Sequence, residues 1–334
     1  MNNQIMEKNT QVLRPSPDAL LNPKVDPIFK SLFTQNSMDS NKALTAFLSA
    51  LLGQKITDVA LGQNELPIES ERDKQSIFDL TCKSETQDKM LNVEMQGKNV
   101  LDSFDNRSEY HVAHLLNHFV TKGMSWADVP EAVMISVLNF VYDESKESGL
   151  LNYTMRLEDG TGLKSARMKI IYLELPKFKD IPDMPLEKLT AVEKWAKFFL
   201  YADCREKTEY VKKLAESEDG IMYAQNALNS ISQSDAEWRR ERDYWDAVAT
   251  ENTIRIEATR KGLAEGRQLG FEQGIEEGRK KGFRQGIQQG IQQGIKQGQK
   301  EKAIETARNF KNNGVSVDII AKCTGLSVEE IECL

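Results

Sequence analysis

The sequence has few cysteines and no long hydrophobic run. The chain of 334 residues contains four cysteines, none of which belongs to a C-x-x-C pair: Cys82, Cys204, Cys323 and Cys333. This spacing argues against a structural zinc site and against a disulfide framework, so we expect reduced thiols. The longest apolar stretch, residues 133–141, is far shorter than the roughly 18 residues of a membrane-spanning helix. We assign it to a buried strand and expect no membrane contact.

The amino terminus lacks the features of a secretory signal. Residues 1–21 have neither the cationic start nor the apolar stretch that directs export. We expect these residues to form a disordered leader and the protein to remain in the cytoplasm.

The charge of the chain is unevenly placed. The formal net charge is −7, yet residues 253–311 carry thirteen Lys and Arg against seven Asp and Glu, a surplus of +6. The remainder therefore carries −13, since −7 − 6 = −13. An acidic body with a basic segment suits a phosphate-bearing partner bound through that segment, and also acidic residues gathered around a cation.

Half of the glycine lies in one tract. Ten of the twenty glycines follow one another at intervals of four, at Gly262, Gly266, Gly270, Gly274, Gly278, Gly282, Gly286, Gly290, Gly294 and Gly298. An apolar residue follows most of them: Leu263, Phe271, Ile275, Phe283, Ile287, Ile291 and Ile295. Interleaved charges such as Arg279 and Lys296 exclude a membrane helix.

The repeat predicts a helix with a winding seam. Four residues turn an α-helix by about 400°, so the glycine seam drifts by about 40° per repeat. A period above 3.6 favours a right-handed wrap of partner helices, and glycine permits close backbone approach. Ten glycines cost about 10 kcal/mol of helix stability relative to alanine. We therefore expect a homo-oligomer formed through residues 262–298, the alternative being a flexible arm.

Hydrophobic periodicity predicts an α/β domain followed by helices. Two helices are followed by strand-like segments, and one further helix separates the last two strands. These segments are two helices over residues 26–53, strands at 55–62, 75–83, 90–96 and 131–142, and a helix over 106–123. Two more strands follow at residues 150–159 and 166–178, and helices dominate from residue 186 to about residue 250.

Capping residues mark the ends of these helices. We place Asp26 at the N-cap of the first helix, with proline next to it at the first helical position. Asp39 or Ser40 is the expected N-cap of the second helix, which Gly53 closes, and Gly123 is expected to end the third.

Two acidic residues are brought together if a hairpin forms. With the polar E-T-Q-D segment as a four-residue loop, Ser84 faces Lys89 and paired positions sum to 173. Asp79 then faces Glu94 across the strand pair, and alternation places Gln96 on the same face. A register shifted by one residue would separate the two acids.

Facing carboxylates favour a divalent cation. Two such groups about 5 Å apart repel each other, and a cation between them removes the repulsion. Hard oxygen donors suit Mg²⁺, or Mn²⁺, which is held also by water and by a phosphate of the substrate. Such a site activates water and stabilises charge on a scissile phosphate. The alternative is that Asp79 and Glu94 are solvated residues of an exposed hairpin.

Several motifs, in this order, resemble the Rpn-type recombination-promoting nucleases, also labelled transposases, of the PD-(D/E)XK nuclease superfamily. The motifs are VDPIFKSLF (Asp26, Phe29, Lys30), FDL (Asp79), NVEMQ (Glu94, Gln96), FDNRSEYH (Arg107, Tyr110), YLELPKF and KWAKFFL. The likeness extends from about Asn22 to the carboxyl terminus. Its most specific element is the E-M-Q motif fifteen residues after the aspartate.

The resemblance implies an α/β fold and a reaction. The fold is a PD-(D/E)XK nuclease core with α-β-β-β-α-β order and a mixed sheet flanked by helices, followed by an α-helical C-terminal region with a long G-x-x-x-G repeat helix. The reaction is metal-dependent DNA cleavage, with Asp79 and Glu94 as metal ligands and catalytic residues. Gln96 stands where the superfamily usually has lysine. Glutamine can orient water but carries no charge, so more of the catalysis falls to the metal.

Four residues are candidates for accessory roles. Asp26 is a candidate additional acid from the first helix, although its cap-like setting suits a structural role equally well. Glu65 is a weaker candidate for the same role, and Lys30 belongs to the same motif as Asp26. Arg107, at the start of the third helix, is a candidate for binding a substrate phosphate or for pairing with an acid.

All three histidines lie on the third helix. His111, His114 and His118 are spaced by three and four residues and form one stripe with Arg107. Such a stripe suits a transition-metal site or a partly exposed helix flank. A separate apolar face favours the flank: Val112, Leu115, Leu116 and Phe119.

The carboxyl-terminal residues predict three short helices, the last with a capping box of Ser327 and Glu330. The last two helices have helix-turn-helix spacing, but the second contains three glutamates and no Arg, Lys, Asn or Gln that could read bases. We expect this part to contact protein.

The sequence thus predicts five segments: a leader (1–21), a nuclease core (22–180), a helical region (181–252), a glycine-repeat arm (253–300) and a small helical module (301–334).

The leading hypothesis is a Mg²⁺-dependent DNA endonuclease with little sequence preference, acting in recombination or mobile-element transfer. The competing hypothesis is a catalytically inactive nuclease fold that binds DNA or self-assembles through its arm. A strand-joining transposase is a third possibility that no feature of the sequence requires.

Overall fold

Residue contacts divide the chain into two units, Met1–Ala249 and Thr250–Leu334. The computed structural model describes residues 14–16, 18–62, 80–84, 88–97, 104–156, 160–163, 165–179 and 184–334. Most of the expected leader, together with Glu65 and Asp79, lies outside the described residues.

The first unit begins with two helices, α1 (Asp26–Thr34) and α2 (Met38–Leu52). The N-cap of α1 is Val25, and Asp26 is the first helical residue, so the prediction of Asp26 as N-cap is wrong. The Asp26 carboxylate instead accepts from Lys30 Nζ at 3.1 Å, one turn along the same helix. The following proline lies in the first turn of the helix, where its missing N–H would have no intrahelical partner in any case.

The second helix is capped earlier than expected. Ser37 is the N-cap, and its hydroxyl accepts from the Ser40 N–H at 3.1 Å, so the assignment to Asp39 or Ser40 is wrong. Of Ser37, Asp39 and Ser40, Ser37 is the residue with the extended backbone that an N-cap requires, with φ −133° and ψ 152°. Gly53 is confirmed as the C-cap because it adopts a left-handed φ of 65°.

The strands form one mixed sheet. In the described part of the chain the order across the sheet is β1-β2-β3-β4-β6-β5. The first three strands are antiparallel, β3, β4 and β6 are parallel, and β5 is antiparallel to β6. The bounds are β1 (Ala60–Leu61), β2 (Leu80–Ser84), β3 (Lys89–Gln96), β4 (Glu131–Leu138), β5 (Leu150–Thr154) and β6 (Met168–Glu174).

Helix α3 (Phe104–Phe119) connects β3 to β4 and completes the α-β-β-β-α-β order predicted for the core. It ends at Phe119, short of the predicted end at Gly123, which lies in the following turn with a φ of 93°. The predicted buried strand is confirmed in β4, whose residues after Glu131 are all buried.

The hairpin register is as predicted. Leu80 pairs with Val93 and Ser84 with Lys89, so the described pairs sum to 173. On β3, Leu91, Val93 and Met95 enter the main hydrophobic core. The alternate side chains, including Glu94, therefore point to the face of the sheet that α3 covers.

The main core contains a cluster of aromatic rings from three helices. Phe33 stacks on Phe47 with centroids 5.5 Å apart, and Trp195 of α4 (Ala191–Tyr201) lies 5.1 Å from Phe47. Phe29 and Phe199 complete the cluster. The aromatic residues of the KWAKFFL motif thus lie in the main core. Helices α5 (Thr208–Glu216) and α6 (Asp219–Ser232) follow, and α6 packs on α2.

The next helix, α7 (Asp235–Asn312), is 78 residues long and contains the whole glycine tract. Its residues from Thr250 onward belong to the second unit. The seven apolar residues of the repeat are between 48% and 70% exposed. A Cβ added to any of the ten tract glycines would meet no atom within 4 Å. The tract is thus helical and solvent-exposed along its length.

The second unit ends with α8 (Val317–Thr324) and α9 (Val328–Glu332). These helices pack on the end of α7 through Ala307, Ile320 and Ile331. The prediction of three short helices is therefore wrong, because the first of them is the last part of α7. The capping box of Ser327 and Glu330 is confirmed. None of the described helices combines the length and apolar character that crossing a bilayer requires.

The contact between α2 and α6 gives the first prediction. A Cβ at Gly220 would meet the Cβ of Ala46 and approach Trp195 Cζ2 to 3.3 Å. Gly220→Ala should lower the unfolding free energy of the first unit by about 1–3 kcal/mol because the two helices must separate. Denaturant unfolding followed by tryptophan fluorescence measures this, since all four tryptophans precede residue 250.

Gly162→Ala is the matched control, because a Cβ there meets nothing within 4 Å and the backbone is not left-handed. Equal stability of the two variants would contradict the packing described for α2 and α6.

Candidate active site

Glu94 lies in a row of side chains across the parallel strands. It pairs with Ser136 on β4, which in turn pairs with Tyr172 on β6. Neighbouring residues in register point to the same face of a sheet, so all three lie beneath α3. The Glu94 side chain is only 3% exposed.

Hydrogen bonds from the neighbouring strand and from α3 hold the Glu94 carboxylate. Ser136 Oγ donates to Oε1 at 3.0 Å, and Arg107 Nη2 donates to Oε2 at 3.0 Å. A buried carboxylate is costly unless it is hydrogen-bonded and has a counter-charge. Ser136 supplies a donor, and Arg107 supplies a donor with the positive charge.

Arg107 reaches Glu94 from α3. Of the two roles considered for this residue, the structure shows pairing with an acid. The Arg107 side chain is 44% exposed, in contrast to its partner. The guanidinium therefore joins the buried carboxylate to the surface, and contact with a substrate phosphate stays a prediction.

Only some of the other predicted site residues are placed near Glu94 by the structure. Gln96 ends β3 two residues beyond Glu94, on the same face of the strand, and is partly exposed. Asp79 directly precedes Leu80 in the chain but lies outside the described residues, as does Glu65. The facing of Asp79 and Glu94 therefore stays a prediction.

Asp26 and Lys30 form an ion pair on α1. Their side chains are about equally exposed, at 30% and 32%, and the Nζ–Oδ2 distance is 3.1 Å. Helix α1 packs against β3, the strand that carries Glu94. An accessory role for either residue stays a prediction.

Sequence reasoning missed a cluster that fixes the start of α3. Asp105 accepts hydrogen bonds from the hydroxyls of Tyr142, at 2.5 Å, and Tyr172, at 3.3 Å. Burial, together with the Asp105 carboxylate, raises the pKa of both tyrosines, so both remain neutral donors. Ser108, one turn further along α3, is buried. The sequence signals were the FDNRSEYH motif, which contains Asp105, Arg107 and Ser108, and the YLELPKF motif, which begins with Tyr172.

The charged residues of the YLELPKF motif hold the loop after β4. Glu174 is fully buried and accepts the backbone N–H groups of Tyr142 and Asp143 at 3.0 and 2.9 Å. Lys177 pairs with Glu174 and donates to the carbonyl oxygens of Asp143 and Lys146 at 2.7 and 2.8 Å. This ion pair places Tyr142 where its hydroxyl meets Asp105.

The histidines of α3 make ring contacts. His111 is buried, His114 stacks on Tyr110 with centroids 5.7 Å apart, and the His118 and Phe119 centroids are 4.8 Å apart. Within the described ranges, no group of three or more His, Cys, Asp and Glu is placed to hold a metal. These contacts favour the interpretation of the stripe as a helix flank.

The described residues supply part of a hard-cation site. The Glu94 carboxylate and the Gln96 amide are oxygen donors on one face of β3, of the type that Mg²⁺ and Mn²⁺ accept. Magnesium commonly binds one or two carboxylates together with water and substrate phosphate. The donors present therefore fit such an ion, and a second carboxylate would have to come from Asp79.

Comparison with protein families gives a match for the first unit and the beginning of the second. The model described as PD-(D/E)XK nuclease family transposase matches residues 23–253. Searches of curated proteins and of solved structures find no match. The matched range is well over half of the chain and contains the mixed sheet, α3 and the Glu94 site. The chain therefore belongs to the PD-(D/E)XK nuclease family transposases.

Proposed function

We propose that the protein is a metal-dependent DNA endonuclease that hydrolyses phosphodiester bonds, with Asp79 and Glu94 as its metal ligands. The observation that carries the proposal is the buried Glu94 carboxylate, held on the face of β3 that also carries Gln96. Family membership supports nuclease chemistry, and the observed register supports the pairing expected for Asp79. The natural role would be recombination or mobile-element transfer, with little sequence preference, in the cytoplasm.

Each side chain of the candidate active site would have a separate role in cleavage. Mg²⁺, or Mn²⁺, when bound by Asp79 and Glu94, supplies Lewis-acid activation of water and charge stabilisation. Ser136 fixes the orientation of the Glu94 carboxylate through its hydrogen bond to Oε1. Gln96 orients water by hydrogen bonding but contributes no charge. Arg107, whose guanidinium is accessible to solvent, is suited to contact a phosphate of the DNA.

A catalytically inactive scaffold is the second candidate, and the glycine tract favours it. The tract leaves a long series of apolar side chains exposed on α7. An exposed apolar surface of this extent marks an interaction site. Self-association of residues 262–298 into a homo-oligomer would cover it, and the interleaved basic residues would remain free to approach DNA phosphates. The arm (253–300) and the terminal module (301–334) would then serve assembly in either candidate function.

Plasmid cleavage separates the two candidates. Wild-type protein should nick supercoiled plasmid in Mg²⁺ and not in EDTA, and Asp79→Asn or Glu94→Gln should reduce the rate by at least about a hundredfold. Conversion of supercoiled to nicked and linear DNA on agarose gels gives the rate.

Glu209→Gln is the matched control, since this glutamate is 80% exposed and pairs only with Lys212 on the surface of α5 within the described chain. It should cleave at the wild-type rate. Intact plasmid with the wild type, or cleavage by both site variants, would reject the catalytic proposal and leave the scaffold.

Sedimentation of the full-length chain tests the arm. Replacing Gly286, Gly290 and Gly294 by alanine should increase helix stability by about 3 kcal/mol, since each glycine costs about 1 kcal/mol. The added methyl groups would also prevent close approach of a second helix. We therefore expect a variant that associates less than the wild type while its circular dichroism shows equal or greater helix content.

The control replaces Gln289 and Gln293, which lie between the glycines, by alanine. It adds helix propensity without filling the seam and should associate like the wild type. A wild-type chain that is monomeric at every concentration would exclude self-association.

A further inference from the structure

The Arg107–Glu94 pair is strongly asymmetric in exposure. The Glu94 side chain is 3% exposed and the Arg107 side chain 44%. Glu94 belongs to β3, which lies between β2 and β4, and its carboxylate accepts a hydrogen bond from Ser136. The guanidinium stands at the end of a long flexible side chain with access to water. If the pair separates, the arginine is the partner that moves.

The contact made by Arg107 is also limited. In the part of the chain that the structure describes, its guanidinium makes one ion pair, through Nη2 to Glu94 Oε2. The strongest arginine–carboxylate pairs use two parallel hydrogen bonds. Release of Arg107 would therefore cost little on the arginine side, whereas the buried Glu94 carboxylate would lose a stabilising positive charge.

The backbone beneath Arg107 is fixed. Asp105 is held by the hydroxyls of Tyr142 and Tyr172, and Ser108 is buried against the sheet. The start of α3 therefore stays in place when the Arg107 side chain moves. The side chain can exchange between Glu94 and solvent without rearrangement of the helix.

The geometry points to Arg107 and a divalent cation as alternative counter-charges for Glu94. This inference rests on the proposed function, in which Glu94 is a metal ligand. Without metal, Arg107 neutralises the buried carboxylate and preserves the site. A cation bound at Glu94 would supply this counter-charge instead, and the Arg107 guanidinium would then be released to contact a phosphate of the DNA.

Manganese binding tests the exchange directly. Free Mn²⁺ is measured by electron paramagnetic resonance in titrations of wild-type protein, Arg107→Gln, Arg107→Lys and Arg240→Gln. Arg107→Gln removes the competing charge and should bind Mn²⁺ about tenfold more tightly. Arg107→Lys retains the charge and should bind close to the wild-type affinity. Arg240→Gln removes an equal charge from the exposed side of an ion pair with Glu237 on α7 and should leave the Mn²⁺ affinity unchanged.

Thermal unfolding supplies a second measurement. Without Mn²⁺, Arg107→Gln should melt below the wild type because the buried Glu94 carboxylate loses the positive charge of Arg107. Saturating Mn²⁺ should raise the melting temperature of this variant by more than that of the wild type, because tighter binding gives a larger shift at equal metal concentration. Cooperative melting shows that the variant is folded.

The outcomes are distinct. If wild-type protein binds Mn²⁺ and cleaves plasmid, but Arg107→Gln binds Mn²⁺ equally or more weakly, the exchange is wrong and the proposed function stands. Equal tightening in Arg107→Gln and Arg107→Lys would also overturn it, since a retained charge must compete. If neither the wild type nor Arg107→Gln binds Mn²⁺, the exchange and the metal-dependent function fall together.

Discussion

The candidate site depends on keeping a carboxylate ionised within the protein. Glu94 is 3% exposed, and burial of an unpaired carboxylate costs several kcal/mol. The surrounding contacts meet this cost. Ser136 in the next strand donates one hydrogen bond, and α3 supplies the positive charge of Arg107. Apolar packing alone would not keep this side chain charged, so the sheet and the helix must be positioned to within hydrogen-bonding distance of each other.

The contacts that position α3 extend across the sheet. The Glu174–Lys177 pair holds the loop after β4, that loop presents Tyr142, and Tyr142 with Tyr172 holds Asp105 at the start of α3. The contacts of Glu174 and Tyr172 are buried or partly buried, whereas the Tyr142–Asp105 hydrogen bond lies at the surface. The charged residues of the YLELPKF motif therefore act on the site at a distance, through the backbone that carries Arg107.

The sequence predicted the parts of this arrangement that depend on local periodicity. Loop length and side-chain alternation set the pairing of Ser84 with Lys89 and the division of β3 into two faces, and both are confirmed. Two kinds of feature could not be predicted from the sequence. The N-cap of α1 is Val25, an apolar residue that capping preferences do not select, and backbone geometry selects Ser37 over Asp39 and Ser40 as the N-cap of α2. The alignment of Glu94 with Ser136 follows from a parallel register across α3, which no short-range pattern encodes.

The glycines of the tract lower helix stability by more than the side-chain pairs along the same helix restore. Its ten glycines cost about 10 kcal/mol of helix stability relative to alanine. Side-chain pairs along the helix, such as Lys280–Glu276 at 2.6 Å and Gln268–Glu272 at 3.1 Å, contribute about 0.2–0.5 kcal/mol each. The core that α7 shares with α8 and α9 begins only near Ala303, beyond the last tract glycine. Local pairs thus offset a small part of the cost, and burial of the exposed apolar residues against a second helix is the term large enough to offset the remainder.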